Sequence, residues 1–381
     1  MNEGESWIMK LCIPLLTMFL ACVACSPGGA SSDGLMKTDA DTTGDGFHTA
    51  DHTVMGDSAI ADGFETADDH IQIDDAFMGD DAESMDIAAD LLVDMKMDTS
   101  DVLTDGASPC PAFHAGVSLG TVALDDLKEI SGVVASRKKP GILWVHNDSG
   151  DSAQIYALST SGKHLGTYLL KGVAAVDWED IAADASHIYI GDIGDNAEER
   201  TSIVIYRVAE PEVTTDQEAV SENITEIESY PLKYPDRPHN AEAMFVDPIS
   251  GDIYIVTKEQ VDDISVFRAA GPHGNAQMKT MELIASFPIQ SEDGPILMMT
   301  TGADISPSGD AILVRTYYSA YWWARVPGVP LGESFKGKAC IVSLQYEQQG
   351  EAIGFDFDGL GYYTISEGSE EHIYYFEREG Q

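Results

Sequence analysis

A short motif recurs five times within residues 113–381 of this 381-residue chain, and it restricts the fold more than any other sequence feature. In each copy, a polar residue stands close to the start of a short β-prone run. The five anchoring residues are Ser131, Glu179, Glu242, Thr301 and Glu351, at spacings of 48, 63, 59 and 50 residues. Internal repeats of about 40 to 50 residues, each built from short strands, are typical of β-propeller blades.

Further β-rich runs follow every copy of the motif. Four copies are followed by three such runs, whereas the last copy is followed by only two. The unused run Val117–Leu124, which precedes the first copy, would complete the last blade and remove an exposed edge. We therefore predict an all-β fold with a single five-bladed β-propeller. A sixth, degenerate blade within 179–242 or 242–301 is one alternative. A pair of β-sandwiches is another, although it would not explain the recurrent motif.

Polar residues cluster where the first strand of each blade begins and where the second strand ends. In an antiparallel blade these two points lie at the same end, so we expect them to surround one mouth of the central channel. The first-strand residues are Glu129, Asp177, Glu179, Asn240, Glu242 and Glu351. The second-strand residues are Asp148, Asp151, Asp192, Asp195, Asn196, Lys258, Glu259, Arg315, Tyr317 and Glu367. Asp304 lies further along its strand, and we expect it to point into the channel.

Oxygen-rich loops of this kind suit Ca²⁺, which takes about six to eight oxygen ligands. The predicted metal ligands are Asp148, Asp151, Asp192, Asp195 and Asn196, because their Gly-rich loops also expose backbone carbonyls. The predicted contacts for a bound ligand are Glu129, Asp177, Asn240, Glu259, Tyr317, Glu351 and Glu367. The alternative for the loop residues is structural, since Asp and Asn at tight turns accept hydrogen bonds from their own backbone.

Two functions fit such a mouth. The first is a non-catalytic module in which Ca²⁺ and the acidic mouth bind a small molecule or a protein. The second is a Ca²⁺-dependent hydrolase in which Glu179 or Glu242 acts as the general base, while Lys258 and Arg315 hold the substrate. No P-loop, H-E-x-x-H or G-x-G-x-x-G motif occurs in residues 113–381, and the sequence reveals no nucleophile–base pair. We therefore favour the binding module.

Several segments resemble a known group of proteins. Leu143–Asp151 reads LWVHNDSGD, Asp177–Ala182 reads DWEDIA and Gly191–Asn196 reads GDIGDN. They resemble secreted bacterial β-propeller proteins of undefined activity, and they are more distantly similar to esterase-like phytase and lactonase-type propellers. The resemblance implies a propeller with Ca²⁺ at the channel mouth and hydrolysis of phosphate or acyl esters. Phytase-type propellers have more blades, and their calcium-bridging carboxylates do not align with residues of this chain.

The amino-terminal segment differs from the rest of the chain. Its apolar run Leu11–Ala24 is too short to span a bilayer comfortably and suits a secretory signal. Val23-Ala24-Cys25 resembles the lipobox of bacterial lipoproteins, with Cys22 as the alternative lipidation site. The resemblance implies that residues 1–25 are a signal peptide and that lipidated Cys25 anchors the protein at the bacterial outer membrane, facing the periplasm or the cell surface.

An acidic segment separates this signal from the propeller. Residues 26–108 carry 19 Asp, 2 Glu and two lysines, which leaves a net charge of −19. Because such a segment has too little apolar surface to offset the entropy of ordering, we predict a disordered spacer. The whole chain carries a net charge of −44, which excludes nucleic-acid binding driven by phosphate contacts.

Residues 109–381 form the predicted propeller domain, which we expect to be a monomer. This domain contains two cysteines, Cys110 and Cys340. In an oxidising compartment such a pair most simply forms a disulfide, and two separate buried thiols are the alternative.

Overall fold

The computed structural model describes residues 110–122, 124–148, 150–259, 263–287 and 299–380. The predicted signal peptide with Cys25 and the predicted acidic spacer lie outside the described residues. Within the described part of the chain, the structure is almost entirely β, and its one helix is a short 3-10 helix at Leu331–Lys336. No helix in this part has the length and the apolar composition needed to cross a bilayer.

The strands are short and follow one another along the chain, beginning with β1 (Val117–Thr121). The next group is β2 (Ile130–Ala135), β3 (Ile142–Asn147), β4 (Gln154–Ser159) and β5 (His164–Leu170). It is followed by β6 (Trp178–Ala183), β7 (His187–Asp192), β8 (Ile203–Ala209), β9 (Val220–Ile224) and β10 (Ile227–Lys233). Next come β11 (Ala241–Val246), β12 (Ile253–Thr257), β13 (Ile264–Ala269), β14 (Lys279–Thr280) and β15 (Glu282–Phe287). The last are β16 (Thr300–Ile305), β17 (Ala311–Thr316), β18 (Ala320–Ala324), β19 (Cys340–Val342), β20 (Gly350–Phe355), β21 (Gly361–Ser366) and β22 (His372–Glu377).

These strands form five blades around a central channel. From the channel outwards, the blades are β2-β3-β4-β5, β6-β7-β8-β10, β11-β12-β13-β15, β16-β17-β18-β19 and β20-β21-β22-β1. The five innermost strands are buried along their whole length, and each contacts the innermost strands of the two adjacent blades. The predicted five-bladed propeller is thus confirmed, and the described residues contain neither a sixth blade nor a pair of sandwiches.

The ring is closed by strands from opposite ends of the described chain. β1 pairs antiparallel with β22, as predicted for the run Val117–Leu124, so the last blade combines one early strand with three late ones. A disulfide joins Cys110 to Cys340 across a sequence separation of 230 residues. It ties the segment before β1 to β19 of blade four, and the structure therefore contains a disulfide rather than two separate thiols.

The long intervals between copies of the motif hold extra edge strands rather than an extra blade. β9 leaves blade two and pairs parallel with β5, the outermost strand of blade one. β14 leaves blade three and pairs parallel with β10 of blade two. Both strands cover outer edges whose backbone groups would otherwise be open to pairing with another chain.

Apolar side chains of adjacent blades fill the space between their sheets. Between blades one and two, this core includes Trp144, Ile155, Ile181 and Ile190, all completely buried. Aromatic and β-branched residues of this kind favour a pleated, buried sheet surface. This packing holds the innermost strands in place, and the motif residues lie at the ends of these strands.

Two buried aspartates join innermost strands across the channel. Asp180 of β6 accepts hydrogen bonds from the N–H groups of Met244 in β11, at 2.8 Å, and Ala303 in β16, at 3.1 Å. Asp304 of β16 accepts one from the N–H group of Phe355 in β20, at 2.8 Å. The prediction that Asp304 points into the channel is confirmed. Asp180 also joins innermost strands, although the alternation of side chains along β6 gives no reason to expect it there.

Candidate cation site at the channel mouth

Each innermost strand contains a β-bulge at the same mouth of the channel. In every blade, the pairing register between the first and second strands skips one residue. The skipped residues are Ser131, Glu179, Glu242, Thr301 and Glu351, which are the five anchors of the sequence motif. Because a bulge redirects the side chain that it carries, the repeat encodes a ring of five polar groups.

Two of these anchors connect neighbouring blades. Ser131 Oγ donates a hydrogen bond to the carbonyl oxygen of Glu179, at 2.5 Å. Thr301 Oγ1 donates one to the carbonyl oxygen of Gly350, at 3.0 Å. Both hydroxyl side chains are therefore engaged within the ring. The other three anchors, Glu179, Glu242 and Glu351, each bring a carboxylate to the mouth.

Three carboxylates meet on the side of the mouth formed by blades one and two. Asp148 follows β3, Asp177 precedes β6, and Glu179 is the bulge residue of β6. One oxygen atom from each of them lies within 4.8 Å of the other two. Glu179 is buried, whereas Asp148 and Asp177 are half-buried. Carboxylate oxygens at this spacing suit a hard divalent cation, and we call these residues the carboxylate trio.

Gly194 leaves the space in which two members of the trio lie. A Cβ atom at Gly194 would come within 2.1 Å of Glu179 Oε1 and 2.5 Å of Asp177 Oδ2. The described glycines with a positive φ do not include Gly194, so the backbone there does not require glycine. Glycine at this position therefore serves the packing of the carboxylates.

The charges around Glu179 favour a bound cation. Burial, and then the charge of Glu242, raises the pKa of Glu179 well above its usual value. Asp148 and Asp177 raise this pKa further, and Lys258 opposes the effect without cancelling it. A divalent cation among the carboxylates would neutralise this repulsion. Both the donor atoms and the electrostatics of the trio thus fit a metal ion.

The other side of the mouth is organised around one ammonium group. Lys258, which follows β12, forms an ion pair with Glu242 and donates a hydrogen bond to the hydroxyl of Tyr317 at 2.9 Å. Its nitrogen lies 4.8 Å from the centroid of the Tyr317 ring. Although burial acts to lower it, the charges of Glu242 and Glu351 raise the pKa of Lys258. Lys258 is therefore a permanent cation of the mouth.

Glu351 approaches this ammonium group from blade five and has an unsatisfied oxygen. The residue is 6% exposed, and among the described residues its Oε2 atom has no hydrogen-bond partner. Burial, and then the charge of Glu242, raises the pKa of Glu351 to about 8. Glu367 is half-buried and Glu129 is exposed, and both lie at the rim beyond Glu351. A buried polar atom without a partner indicates a place for a donor group or a cation.

Of the five predicted metal ligands, only Asp148 belongs to the trio. Asp151, three residues further on, accepts hydrogen bonds from Asn147 Nδ2 at 2.9 Å and from the N–H group of Ser152 at 2.6 Å. It also accepts one from the Tyr156 hydroxyl at 3.2 Å. Asp151 therefore stabilises the turn after β3, as the structural alternative predicts.

The other three predicted ligands hold the loop after β7. Asp192 forms an ion pair with Arg200 at 2.7 Å, and the carboxylate of Asp195 accepts a hydrogen bond from the N–H group of Arg200, also at 2.7 Å. Asn196 Oδ1 accepts a hydrogen bond from Asn240 Nδ2 at 3.2 Å, so the side chain of Asn240, a predicted contact for a bound ligand, is engaged here as well. These side chains are engaged in the loop, and Asp192 Oδ1 also accepts a hydrogen bond from the N–H group of the trio member Asp177, at 3.3 Å. Asp192 therefore supports the segment that carries Asp177 and is not itself a member of the trio.

Glu259 and Arg315 also lie apart from the groups at the mouth. Glu259 is buried and its Oε1 lies 3.2 Å from His239 Nδ1, in a separate cluster. Arg315 is completely buried and forms an ion pair with Glu347 at 2.9 Å. The prediction that Arg315 holds a substrate is wrong, because its side chain is buried in this ion pair. The position of Arg315 at the end of β17 does not reveal on which side of the strand its side chain lies.

One serine–histidine contact lies away from the mouth. Ser118 Oγ is 2.7 Å from His372 Nδ1, and the segment Gly116–Gly120 has the G-x-S-x-G spacing of esterase nucleophiles. Both side chains are exposed, and Ser118 lies within the edge strand β1. The esterase nucleophile instead needs a sharp turn from a strand to a helix. We therefore interpret this contact as a cross-strand hydrogen bond.

The cation-free protein should become less stable as the pH rises. Burial raises the pKa from 4.5 to about 7 for Glu242 and to about 8 for Glu351. Between pH 4.5 and these raised values, the native state therefore binds more protons than the unfolded chain. The resulting stability is present below pH 4.5 and is lost as the pH rises through 7 and 8.

Calorimetric melting in chelator, from about pH 5 to 8.5, measures this effect. The melting temperature should fall with rising pH, and the double variant Glu242→Gln/Glu351→Gln should show a flatter profile. A wild-type melting temperature that stays level or rises across this range would contradict the prediction.

Comparisons with known proteins add no functional assignment. No family model matches the chain, and no curated protein matches it. Among solved structures, a chain in the crystal structure of a nidogen/laminin complex is similar to this one, with 14% sequence identity and a TM-score of 0.35. The match covers 62% of this chain and 72% of that chain. Similarity at this level carries no argument about function, and the candidate site rests on the residues described above.

Proposed function

We propose that this protein is a propeller-based binding module that holds Ca²⁺ at its channel mouth and uses the ion to bind a ligand. The observation that carries the proposal is the convergence of Asp148, Asp177 and Glu179, with oxygens within 4.8 Å of one another, beside Gly194. Ca²⁺ takes about six to eight oxygens, so three carboxylates leave positions open for ligand oxygens. Two of the three side chains are half-buried, which gives such a ligand access.

We further propose that the module works outside the cytoplasm, tethered to the bacterial outer membrane by a lipid on Cys25. Support comes from the lipobox-like Val23-Ala24-Cys25 and the apolar run before it. The disulfide between Cys110 and Cys340 agrees with an oxidising compartment. The acidic segment 26–108 would then act as the spacer between the membrane and the propeller.

Titration calorimetry of Ca²⁺ into chelator-treated protein tests the cation site. The wild-type chain should bind one equivalent, and Glu179→Gln should weaken binding by about 100-fold, because affinity depends on the number of charged ligands. Glu218→Gln is the matched control, since it makes the same chemical change at an exposed residue before the edge strand β9 and should change the affinity by less than about threefold. Equal losses in the two variants, or no heat with the wild type, would contradict the proposal.

A hydrolase is the second candidate, because a carboxyl group and a cation lie side by side next to the trio. Burial raises the pKa of Glu242 to about 7, in the range of an effective general base at neutral pH. Lys258 beside it would hold an anionic group of the substrate. Assays with p-nitrophenyl phosphate and p-nitrophenyl acetate decide the question. Turnover that Glu242→Gln and Lys258→Ala both abolish supports the enzyme, and its absence in the Ca²⁺-loaded wild type supports the module.

A further inference from the structure

The half of the mouth around Lys258, next to the carboxylate trio, contains a hydrogen-bond acceptor without a partner. Glu351 Oε2 is buried without a partner among the described residues. Glu351 is the bulge residue of β20, so it belongs to the same ring at the mouth as Glu242 and Glu179. Glu179 and Glu242 are the bulge residues of β6 and β11, which are in contact, so the two halves of the mouth are neighbours. A ligand here would lie beside the proposed cation.

The charged side chains of the mouth restrict which classes of ligand can bind there. Glu242, Glu351 and Glu367 act together against an anion, because like charges in a confined site repel. An ammonium ligand would have to compete with Lys258, which already forms the ion pair with Glu242 and lies over the Tyr317 ring. A neutral ligand avoids both the repulsion by the carboxylates and this competition. It must still offer hydroxyl or amide groups, because the groups that face it are hydrogen-bonding carboxyls and an ammonium.

Two tyrosines add a wall to this half of the mouth. Tyr317 and Tyr318 follow β17, and their ring centroids lie 6.2 Å apart. Tyr318 is 81% exposed, so its ring is accessible to a ligand. A tyrosine ring offers an apolar face and a polar tip, which suits a ligand that alternates C–H faces with hydroxyl groups.

We propose that the mouth binds a neutral saccharide between Glu351, Lys258 and the tyrosine wall. Glu351 bonds one sugar hydroxyl through its unsatisfied oxygen, Lys258 donates to another sugar oxygen, and Tyr318 packs against the C–H face of the ring. The inference rests on the proposed binding function, in which the cation at the trio takes further hydroxyl oxygens of the same sugar.

Calorimetry and saturation-transfer NMR with defined ligands test this proposal. The panel contains the methyl glycosides of mannose, galactose, fucose and glucose, each with Ca²⁺ and again in chelator. Glucose 6-phosphate and spermidine serve as the anionic and cationic comparators. At least one neutral glycoside should bind in Ca²⁺, and it should bind more tightly than either charged comparator.

Two variants separate the saccharide site from the cation site. Glu351→Gln keeps the shape of the side chain and should weaken glycoside binding by about tenfold, since an N–H₂ donor replaces one carboxyl oxygen. Tyr318→Ala changes an exposed side chain, so the fold should persist while glycoside binding falls by a similar factor. Glu333→Gln, at an exposed position of the 3-10 helix, is the control and should leave binding unchanged.

Calcium titration of the same samples distinguishes the two possible failures. If Ca²⁺ binds but no glycoside does, or if spermidine or glucose 6-phosphate binds best, the saccharide proposal is overturned. It is also overturned if neither variant changes glycoside affinity. If a glycoside binds equally well in chelator, the saccharide site stands, and the proposal that the protein uses Ca²⁺ to bind its ligand fails.

Discussion

Replacing Asp180 by alanine should lower the free energy of unfolding by about 3 to 5 kcal/mol, a large effect for one polar side chain. The carboxylate is completely buried and accepts the N–H groups of Met244 and Ala303, at 2.8 and 3.1 Å, from the innermost strands of two other blades. Alanine would leave both donors without a partner in the channel. Each buried donor left without a partner costs about 1 to 3 kcal/mol, so the two losses together amount to about 2 to 6 kcal/mol, and the expected value lies in the middle of this range.

Urea unfolding followed by tryptophan fluorescence measures this change. Asp216→Ala removes an exposed aspartate and should leave the midpoint nearly unchanged. Asp180→Asn should also destabilise the protein, because Oδ1 accepts the N–H group of Ile181 and Oδ2 accepts those of Met244 and Ala303, so the amide N–H₂ group would face a backbone donor in either orientation. A stability equal to that of the wild type in both Asp180 variants would show that the interblade hydrogen bonds contribute little.

Replacing Gly194 by alanine should reduce Ca²⁺ affinity by about 100-fold or more without removing any charged group. The added Cβ atom would lie 2.1 Å from Glu179 Oε1 and 2.5 Å from Asp177 Oδ2, so both carboxylates must move away from their present positions. Glu179 Oε1 is the end of a flexible side chain, and the fold can absorb its displacement. The arrangement of three oxygens within 4.8 Å cannot survive it.

Titration calorimetry and thermal melting together test this expectation. Gly337→Ala is the matched control, because Gly337 has a φ of −76° and lies after the 3-10 helix, on a different element from the trio. The Gly194 variant should lose Ca²⁺ binding while its chelator-treated melting temperature stays near the wild-type value. Retained Ca²⁺ affinity in this variant would mean that the ion does not use Glu179 and Asp177 together.

The blade architecture could be predicted from the sequence because it depends on a repeat that the chain itself carries. Five anchors at similar spacings, each followed by β-rich runs, specify five units, and the surplus run before the first unit predicts the closing strand β1. The uneven spacings of 63 and 59 residues suggested extra structure. They accommodate β9 and β14, which belong to the edges of preceding blades and have no counterpart in the repeat.

Which residues form the site was harder to predict, because this depends on backbone geometry that residue types do not reveal. The bulge at Glu179 breaks the two-residue alternation of the strand, so Glu179 turns to the mouth while the next residue, Asp180, enters the channel. Regular alternation predicts opposite faces for adjacent residues and gives no reason to single out Asp180. The loop aspartates show the converse, since Asp151, Asp192 and Asp195 have the right chemistry for a metal but are engaged by nearby backbone and side-chain groups.

The covalent link between Cys110 and Cys340 has a mechanical consequence. A strand such as β1, paired along one edge of the last blade, is the natural place for a pulling force to start unzipping the ring. Cys110 precedes β1, and its disulfide reaches β19 of blade four. Tension that arrives along the chain before residue 110 is therefore carried by a sulfur–sulfur bond into a neighbouring blade, and the hydrogen bonds of β1 are shielded from the load.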